Sequence, residues 1–261
     1  MRRDFEMGLE DREQSAILDL SHRNRPLMIA FGGLKGNMGV APFEFFKLTK
    51  SMKVNKIYLR DIDQELYHSG FPGVSGSIEE TVSYLKQKID VCGARRVVVF
   101  GNSMGAYAAL LFGVLIGADA VHAFAPNTFV CDKGSDDNET HRLGNEITRR
   151  IREKYSARYF DLKDVIQLHG NACELNLYFD SGHETDVEHA MHLNGLPNVV
   201  LHAFSDGSHH LIKALKRSGE LRRIIISSLE DTSEMRRYPG IVRARRIFAK
   251  LFDAGFGSGA R

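Results

Sequence analysis

A serine that could act as a nucleophile lies between two glycines in the segment Gly101-Asn102-Ser103-Met104-Gly105. An apolar, β-branched run precedes it and a run of small apolar residues follows it, which is typical of a strand, a sharp turn and a helix. Such a turn strains the serine backbone, and glycines on both sides let strand and helix close around it. The segment therefore predicts that Ser103 attacks a carbonyl carbon, with backbone N–H groups and the helix dipole stabilising the negative charge.

A glycine-rich turn between a strand and a helix also occurs in nucleotide-binding folds. Those folds carry a G-x-G-x-x-G pattern or a P-loop lysine, and neither follows this strand. We therefore favour the nucleophile over a phosphate-binding turn.

A serine nucleophile needs a base, which is normally a histidine oriented by a carboxylate. In the fold that typically carries this turn, the chain order is serine, then acid, then histidine. The chain has eleven histidines, and two of them follow the last apolar strand pattern in the small-residue loop 205–210. We predict His209 as the base, with His210 as the alternative.

The acid is expected after the preceding strand. Asp180 ends that strand pattern, Asp186 comes shortly after it, and Glu184 lies between them. Asp186 could instead be the N-cap of a helix at 186–193, and Asp180 could bond the amides of a turn. We favour Asp180 because it lies at the end of the strand, with Asp186 as the alternative.

Two N–H donors are expected to hold the oxyanion. One is the N–H of Met104, and the other is that of Gly33 or Leu34, in the loop after the strand at 27–31. Glycine in that loop lets the backbone approach the substrate closely. Three further residues near the ends of predicted strands are expected to contact the substrate: Gly32, Asn102 and Asp61.

Three histidines cluster in the sequence at His183, His189 and His192. Metal binding needs three or four converging ligands, so we interpret them as residues of a helix surface. We predict neither a metal nor a cofactor.

Strand and helix patterns alternate over residues 27–130 and 171–231, which predicts a mainly parallel sheet with its site at the carboxyl ends of the strands. Residues 131–170 break this rhythm with a polar loop and a basic helix at 145–157, and we interpret them as a cap insertion. Residues 1–26 are expected to add a strand or hairpin to the same domain. Residues 232–261 are expected to form a basic helix and a flexible tail.

The Gly-Gly loop, the Gly-x-Ser-x-Gly turn, the late Asp180 and the final His209 occur in the order found in α/β-hydrolases, and the chain resembles that family over residues 27–217. The resemblance implies an α/β three-layer sandwich, with a mainly parallel sheet flanked by helices. It also implies hydrolysis through an acyl-serine, most simply of a carboxylic ester. The family includes acyltransferases, C–C bond hydrolases and non-catalytic binding proteins, which are the alternatives.

The composition of the 261 residues is that of an ordinary globular protein, with a formal net charge of +2 that gives no argument for nucleic-acid binding. Three cysteines without a C-x-x-C pair favour a reducing compartment, so we expect a cytoplasmic protein. Basic residues at 142–154 permit a small acyl substrate that is anionic or linked to a saccharide. The basic segment 236–250 could contact a membrane or a protein, but we favour packing on its own domain.

Overall fold

Seven strands form one sheet in the computed structural model, which describes residues 13–33, 43–130, 139–170, 172–205 and 211–230, without the side chains of 139–144. The strand order is β1-β3-β2-β4-β5-β6-β7. Only β1 runs antiparallel to its neighbour β3, and every other pair is parallel. The strands are β1 (Ala16–Asp19), β2 (Leu27–Phe31), β3 (Asn55–Leu59), β4 (Val97–Asn102), β5 (Ala120–Phe124), β6 (Glu174–Asp180) and β7 (Val199–Phe204).

Helices cover both faces of this sheet. They are α1 (Phe46–Thr49), α2 (Ile78–Cys92), α3 (Met104–Ile116), α4 (Glu139–Lys154), α5 (Leu162–His169), α6 (Glu184–His192), α7 (Leu211–Arg217) and α8 (Glu220–Leu229). Ile29 and Val99 face one core with residues of α2, α3 and α5, whereas Met28 and Val98 face the other core with α1, α7 and α8. The predicted three-layer sandwich with a mainly parallel sheet is confirmed.

The central strands are apolar because helices cover them on both sides. Every residue of β2, β3 and β5 is buried, which is why these strands show no alternation of polar and apolar residues. Helix α3 is apolar around its whole circumference for the same reason, since twelve of its residues are buried. Because β4 is the fourth of the seven strands in the sheet, the turn between β4 and α3 lies at the middle of the sheet's carboxyl edge.

The segment predicted as a cap contains α4, a short 3₁₀ turn at Ala157–Tyr159 and α5. The basic helix begins at Glu139 and ends at Lys154, not at 145 and 157. Ile147 and Ile151 of α4 are buried in the same core as α3, and so are Leu162 and Ile166 of α5. A cap role for 131–170 stays a prediction.

The ends of the chain are described only in part. Strand β1 joins the sheet edge next to β3, in the segment where a strand was predicted. The predicted basic helix and tail at 232–261 lie outside the described residues. None of the helices in the described part of the chain combines the length and apolar character needed to cross a membrane.

Candidate active site

Ser103 joins β4 to α3 with a backbone conformation of φ 54° and ψ −119°. A non-glycine residue held in such a sparsely populated region costs on the order of 1–3 kcal/mol and persists only where its surroundings enforce it. Its N–H donates to the carbonyl oxygen of Phe124 on β5 at 2.9 Å, and its own carbonyl accepts from Ala106 N at 2.9 Å. The backbone strain that the sequence pattern predicts at Ser103 is therefore present.

The two glycines around Ser103 sit where no side chain fits. A Cβ added to Gly101 would lie 2.0 Å from the carbonyl oxygen of Gly105. A Cβ added to Gly105 would lie 2.3 Å from the carbonyl oxygen of Phe31, at the end of β2. Strand, helix and the loop after β2 are therefore packed backbone to backbone around the serine, as the pattern predicts.

The Gly-Gly loop after β2 lies directly against this turn. A Cβ on Gly33 would be 2.9 Å from the carbonyl oxygen of Asn102, so the loop backbone touches the residue before the serine. The first intrahelical bond at this end of α3 begins with Ala106 N, so the N–H of Met104 precedes the hydrogen-bonded part of the helix. Leu34, the alternative donor, lies outside the described residues.

Asp180 is the last residue of β6 and is fully buried. Its Oδ1 accepts from Gly182 N at 2.7 Å. Asp180 therefore bonds a turn amide, which is the alternative role that the sequence offers for it. Asp180 pairs with Phe204 on β7, the strand that leads to the loop of the predicted base, but His209 and His210 lie outside the described residues. Ser103 and Asp180 thus lie at the carboxyl edge of the same sheet, with β5 between their strands.

Asp186 follows Asp180 in the chain and lies in the first turn of α6. The N-cap of this helix is His183, whose ring Nδ1 accepts from Asp186 N, so the alternative interpretation of Asp186 as the N-cap is wrong. The same nitrogen lies 3.0 Å from Asp186 Oδ1. The imidazole of His183 caps the helix because His183 directly precedes the first turn, where the backbone N–H groups have no partner within the helix.

Asp61, a predicted substrate contact, is buried at the carboxyl end of β3. Its Oδ2 accepts from Tyr67 N at 2.9 Å, and burial raises its pKa to about 6. Its Oδ1 is buried without a hydrogen-bond partner among the described residues. The carboxyl group thus holds the loop that follows β3, and contact with a substrate stays a prediction.

Glu44 is a further acidic residue near the serine that the sequence patterns did not indicate. Its Oε1 accepts from the side chain of Asn102 at 3.3 Å and lies 3.7 Å from where a Cβ of Gly33 would be. Burial raises the pKa of Glu44 to about 7. Its Oε2 is buried and has no hydrogen-bond partner within the described ranges. The only signal in the sequence is a single carboxylate among the phenylalanines at 43–46.

The clustered histidines have separate partners. His189 is buried and its Nδ1 accepts from Thr128 N at 3.2 Å, so its interpretation as a surface residue is wrong. His192 Nε2 lies 2.7 Å from Asp161 Oδ1. Across the described part of the chain, no three histidine, cysteine or acidic side chains are grouped so as to hold a metal ion.

Several basic residues of α4 are paired with carboxylates. Arg149 lies 3.2 Å from Glu153, and Lys154 lies 2.9 Å from Glu65 in the loop after β3. Arg150 donates to the carbonyl oxygen of Gln64 in the same loop at 2.8 Å. These contacts account for part of the basic charge without an anionic ligand.

No protein-family model matches this sequence, and no curated protein sequence matches it. Several solved structures are similar in fold. The capsule O-acetyltransferase of Neisseria meningitidis serogroup A matches with a TM-score of 0.58 at 14% identity, over 81% of this chain and 90% of that one. MenH from Staphylococcus aureus matches with 0.54 at 13% identity, over 82% and 97%. S-formylglutathione hydrolase (FrmB) from S. aureus matches with 0.53 at 11% identity, over 80% and 85%. The chain therefore has the α/β-hydrolase fold.

Proposed function

We propose that this protein is a serine hydrolase that cleaves an acyl compound, most simply a carboxylic ester, through an acyl-serine intermediate. The observation that carries the proposal is the strained backbone of Ser103, at φ 54° and ψ −119°, between β4 and α3. A connecting turn has no need of a serine in this conformation, since a glycine would adopt it at less cost. Strain that is retained at the carboxyl edge of a parallel sheet is typical of an active site.

In the first half of the reaction, Ser103 Oγ forms a bond to the carbonyl carbon, and its proton moves to His209. The carbonyl electron pair becomes an oxyanion that accepts from the N–H groups of Met104 and Gly33. When the oxyanion collapses, the bond to the leaving oxygen breaks and that oxygen takes the proton from His209. Acyl-Ser103 and an alcohol result.

In the second half, a water molecule attacks the same carbonyl carbon and gives a proton to His209. Collapse of the second oxyanion breaks the bond to Ser103 Oγ, which takes the proton back, and the carboxylic acid leaves. Asp180 orients the imidazole in both halves. Its complete burial at the end of β6 supports this role, whereas Asp186 is engaged with His183 in its own turn.

Acyl transfer is the second candidate function, because an acceptor hydroxyl can replace water in the second half without any change to the residues involved. The likeness in fold to the capsule O-acetyltransferase is the observation that favours it. Product analysis with and without an added alcohol separates the two: transfer yields a new ester, and hydrolysis yields only the acid.

A fluorophosphonate probe tests the proposal directly, because it reacts with an activated serine and is blind to the identity of the substrate. We expect labelling of the wild type, no labelling of Ser103→Ala, and normal labelling of the control Ser83→Ala on α2. Absence of labelling in the folded wild type, or equal labelling of Ser103→Ala, would contradict the proposal.

A further inference from the structure

We propose that Tyr67 is a positioning residue, which fixes the Gly32–Gly33 peptide so that the N–H of Gly33 faces the oxyanion. The inference rests on the proposed function, because it assigns a role within the same site. Tyr67 lies in the loop after β3, and its side chain is fully buried. Its hydroxyl donates a hydrogen bond to the carbonyl oxygen of Gly32.

The geometry of the peptide bond links this hydrogen bond to the oxyanion hole. In a planar trans peptide the C=O and the N–H point in opposite directions. The carbonyl of Gly32 and the N–H of Gly33 belong to one peptide, so a donor that holds the oxygen on one side directs the N–H to the other. Two further contacts confine Gly32: its N–H donates to Leu59 O at 2.8 Å, and a Cβ on Gly105 would lie 2.7 Å from its oxygen.

A Gly-Gly peptide needs such a constraint because its backbone offers little of its own. Glycine adopts positive and negative φ with similar ease, so the peptide between Gly32 and Gly33 can turn over at low conformational cost. Turning over would present a carbonyl oxygen to the oxyanion in place of a donor. The hydrogen bond from Tyr67 is broken in that state, and it therefore favours the state in which Gly33 donates.

Tyr67 is itself held firmly. Its ring packs edge to face on Phe31, with centroids 5.4 Å apart, and lies 5.3 Å from the ring of Phe71. Its N–H donates to Asp61 Oδ2, and its backbone has a φ of 64°. A buried carboxylate and two aromatic rings thus maintain a backbone conformation that a tyrosine rarely adopts.

The same loop is anchored from its outer side by α4 and the residue after it. Glu65 accepts from Lys154 Nζ at 2.9 Å and from the hydroxyl of Tyr155. Arg150 donates to the carbonyl oxygen of Gln64 at 2.8 Å. The loop is therefore fixed on both sides, which lets a single phenol hydroxyl act as a rigid donor rather than a mobile one.

The test compares Tyr67→Phe with Tyr58→Phe, using p-nitrophenyl acetate as the substrate. The two variants are matched, because Tyr58 is also fully buried and its hydroxyl also forms a hydrogen bond, with Thr49 Oγ1 at 2.6 Å, in the core on the other face of the sheet. Loss of a whole oxyanion donor lowers kcat by about 10²–10³-fold, so we expect a loss of about ten-fold in Tyr67→Phe, with KM changed by less than about two-fold. Phenylboronic acid mimics the tetrahedral oxyanion, and its inhibition of Tyr67→Phe should weaken by the same factor. Tyr58→Phe keeps its kcat.

An unchanged kcat in Tyr67→Phe, or an equal loss in both variants, would overturn the role of Tyr67 while leaving the proposed function standing. A wild type that neither hydrolyses the ester nor reacts with a fluorophosphonate would overturn the proposed function and the role of Tyr67 with it. Should Tyr67→Phe fail to fold, Asp61→Asn weakens the acceptor of the Tyr67 N–H instead. A reduced kcat with unchanged KM in Asp61→Asn supports the proposal, and an unchanged kcat contradicts it.

Discussion

Replacing Glu44 with glutamine is expected to shift the free energy of unfolding in favour of the variant as the pH rises from about 4.5 to about 7, with no further change above that range. The unfolded chain holds the Glu44 proton with the ordinary pKa of 4.5, whereas burial in the folded state raises that pKa to about 7. Between these values the folded protein binds more protons than the unfolded chain, so its free energy of unfolding falls with pH. The stability that the folded protein gains from holding the Glu44 proton is fully present below about pH 4.5 and is lost as the pH rises through about 7.

The size of the effect follows from the shift in pKa. Each unit corresponds to about 1.4 kcal/mol, so the shift from 4.5 to about 7 corresponds to roughly 3 kcal/mol. Glu44→Gln has no carboxyl proton to lose and keeps a similar shape. The difference in unfolding free energy between Glu44→Gln and the wild type should therefore grow by about 3 kcal/mol from pH 4.5 to pH 8.

Urea unfolding followed by circular dichroism at several pH values between these limits measures the difference. Glu79→Gln is the matched control, because a hydrogen bond from Tyr159 lowers the pKa of Glu79. Glu79 is then ionised in both states above about pH 5, and its variant should differ from the wild type by a constant amount. If the free energies of unfolding of the wild type and Glu44→Gln change with pH in the same way, the pKa of Glu44 is not raised by burial beside Asn102, and the reasoning is refuted.

Three further outcomes are expected. The rate of ester hydrolysis by the wild type, divided by that of Glu44→Gln, should fall as the pH rises through about 7 in a pH–rate profile, because an ionised Glu44 beside Gly33 repels the oxyanion. Gly105→Ala should lower the melting temperature by several degrees, since its Cβ would lie 2.3 Å from a carbonyl oxygen, whereas calorimetry of Gly76→Ala, with its nearest atom at 3.4 Å, should show little change. Asp180→Asn should lower kcat by about 10²-fold or more and Asp186→Asn by much less, and a larger loss in Asp186→Asn in steady-state kinetics would reverse the assignment of the acid.

Much of the sheet and the turn at Ser103 could be predicted from the sequence because their signals are local. Apolar runs of five or six residues identify central strands that are covered on both faces. Gly101 and Gly105 are informative for a similarly direct reason, since backbone atoms occupy the space that a side chain would need. The Gly-Gly loop follows β2 and Asp180 ends β6, and both lie at the carboxyl edge of the sheet because these strands run parallel.

The residues that surround this turn could not be predicted, because their roles depend on contacts between distant parts of the chain. Glu44 is 58 positions from Asn102, and Tyr67 is 35 positions from Gly32. Neither has a spacing that marks it in the sequence. The N-cap of α6 was missed for a different reason: His183 competes locally with Asp186 for the same N–H groups, and helix ends are the least predictable part of an element.

The most direct test of a nucleophilic Ser103 is to trap the acyl-enzyme. The wild type and Ser103→Ala are mixed with excess p-nitrophenyl acetate, quenched in acid within the first turnover and measured by intact-protein mass spectrometry, with peptide mapping of any adduct. We predict a mass increase of one acetyl group, located on Ser103 in the wild type and absent from Ser103→Ala. An acetyl group on another residue, or turnover of the ester by Ser103→Ala at the wild-type rate, would contradict the account.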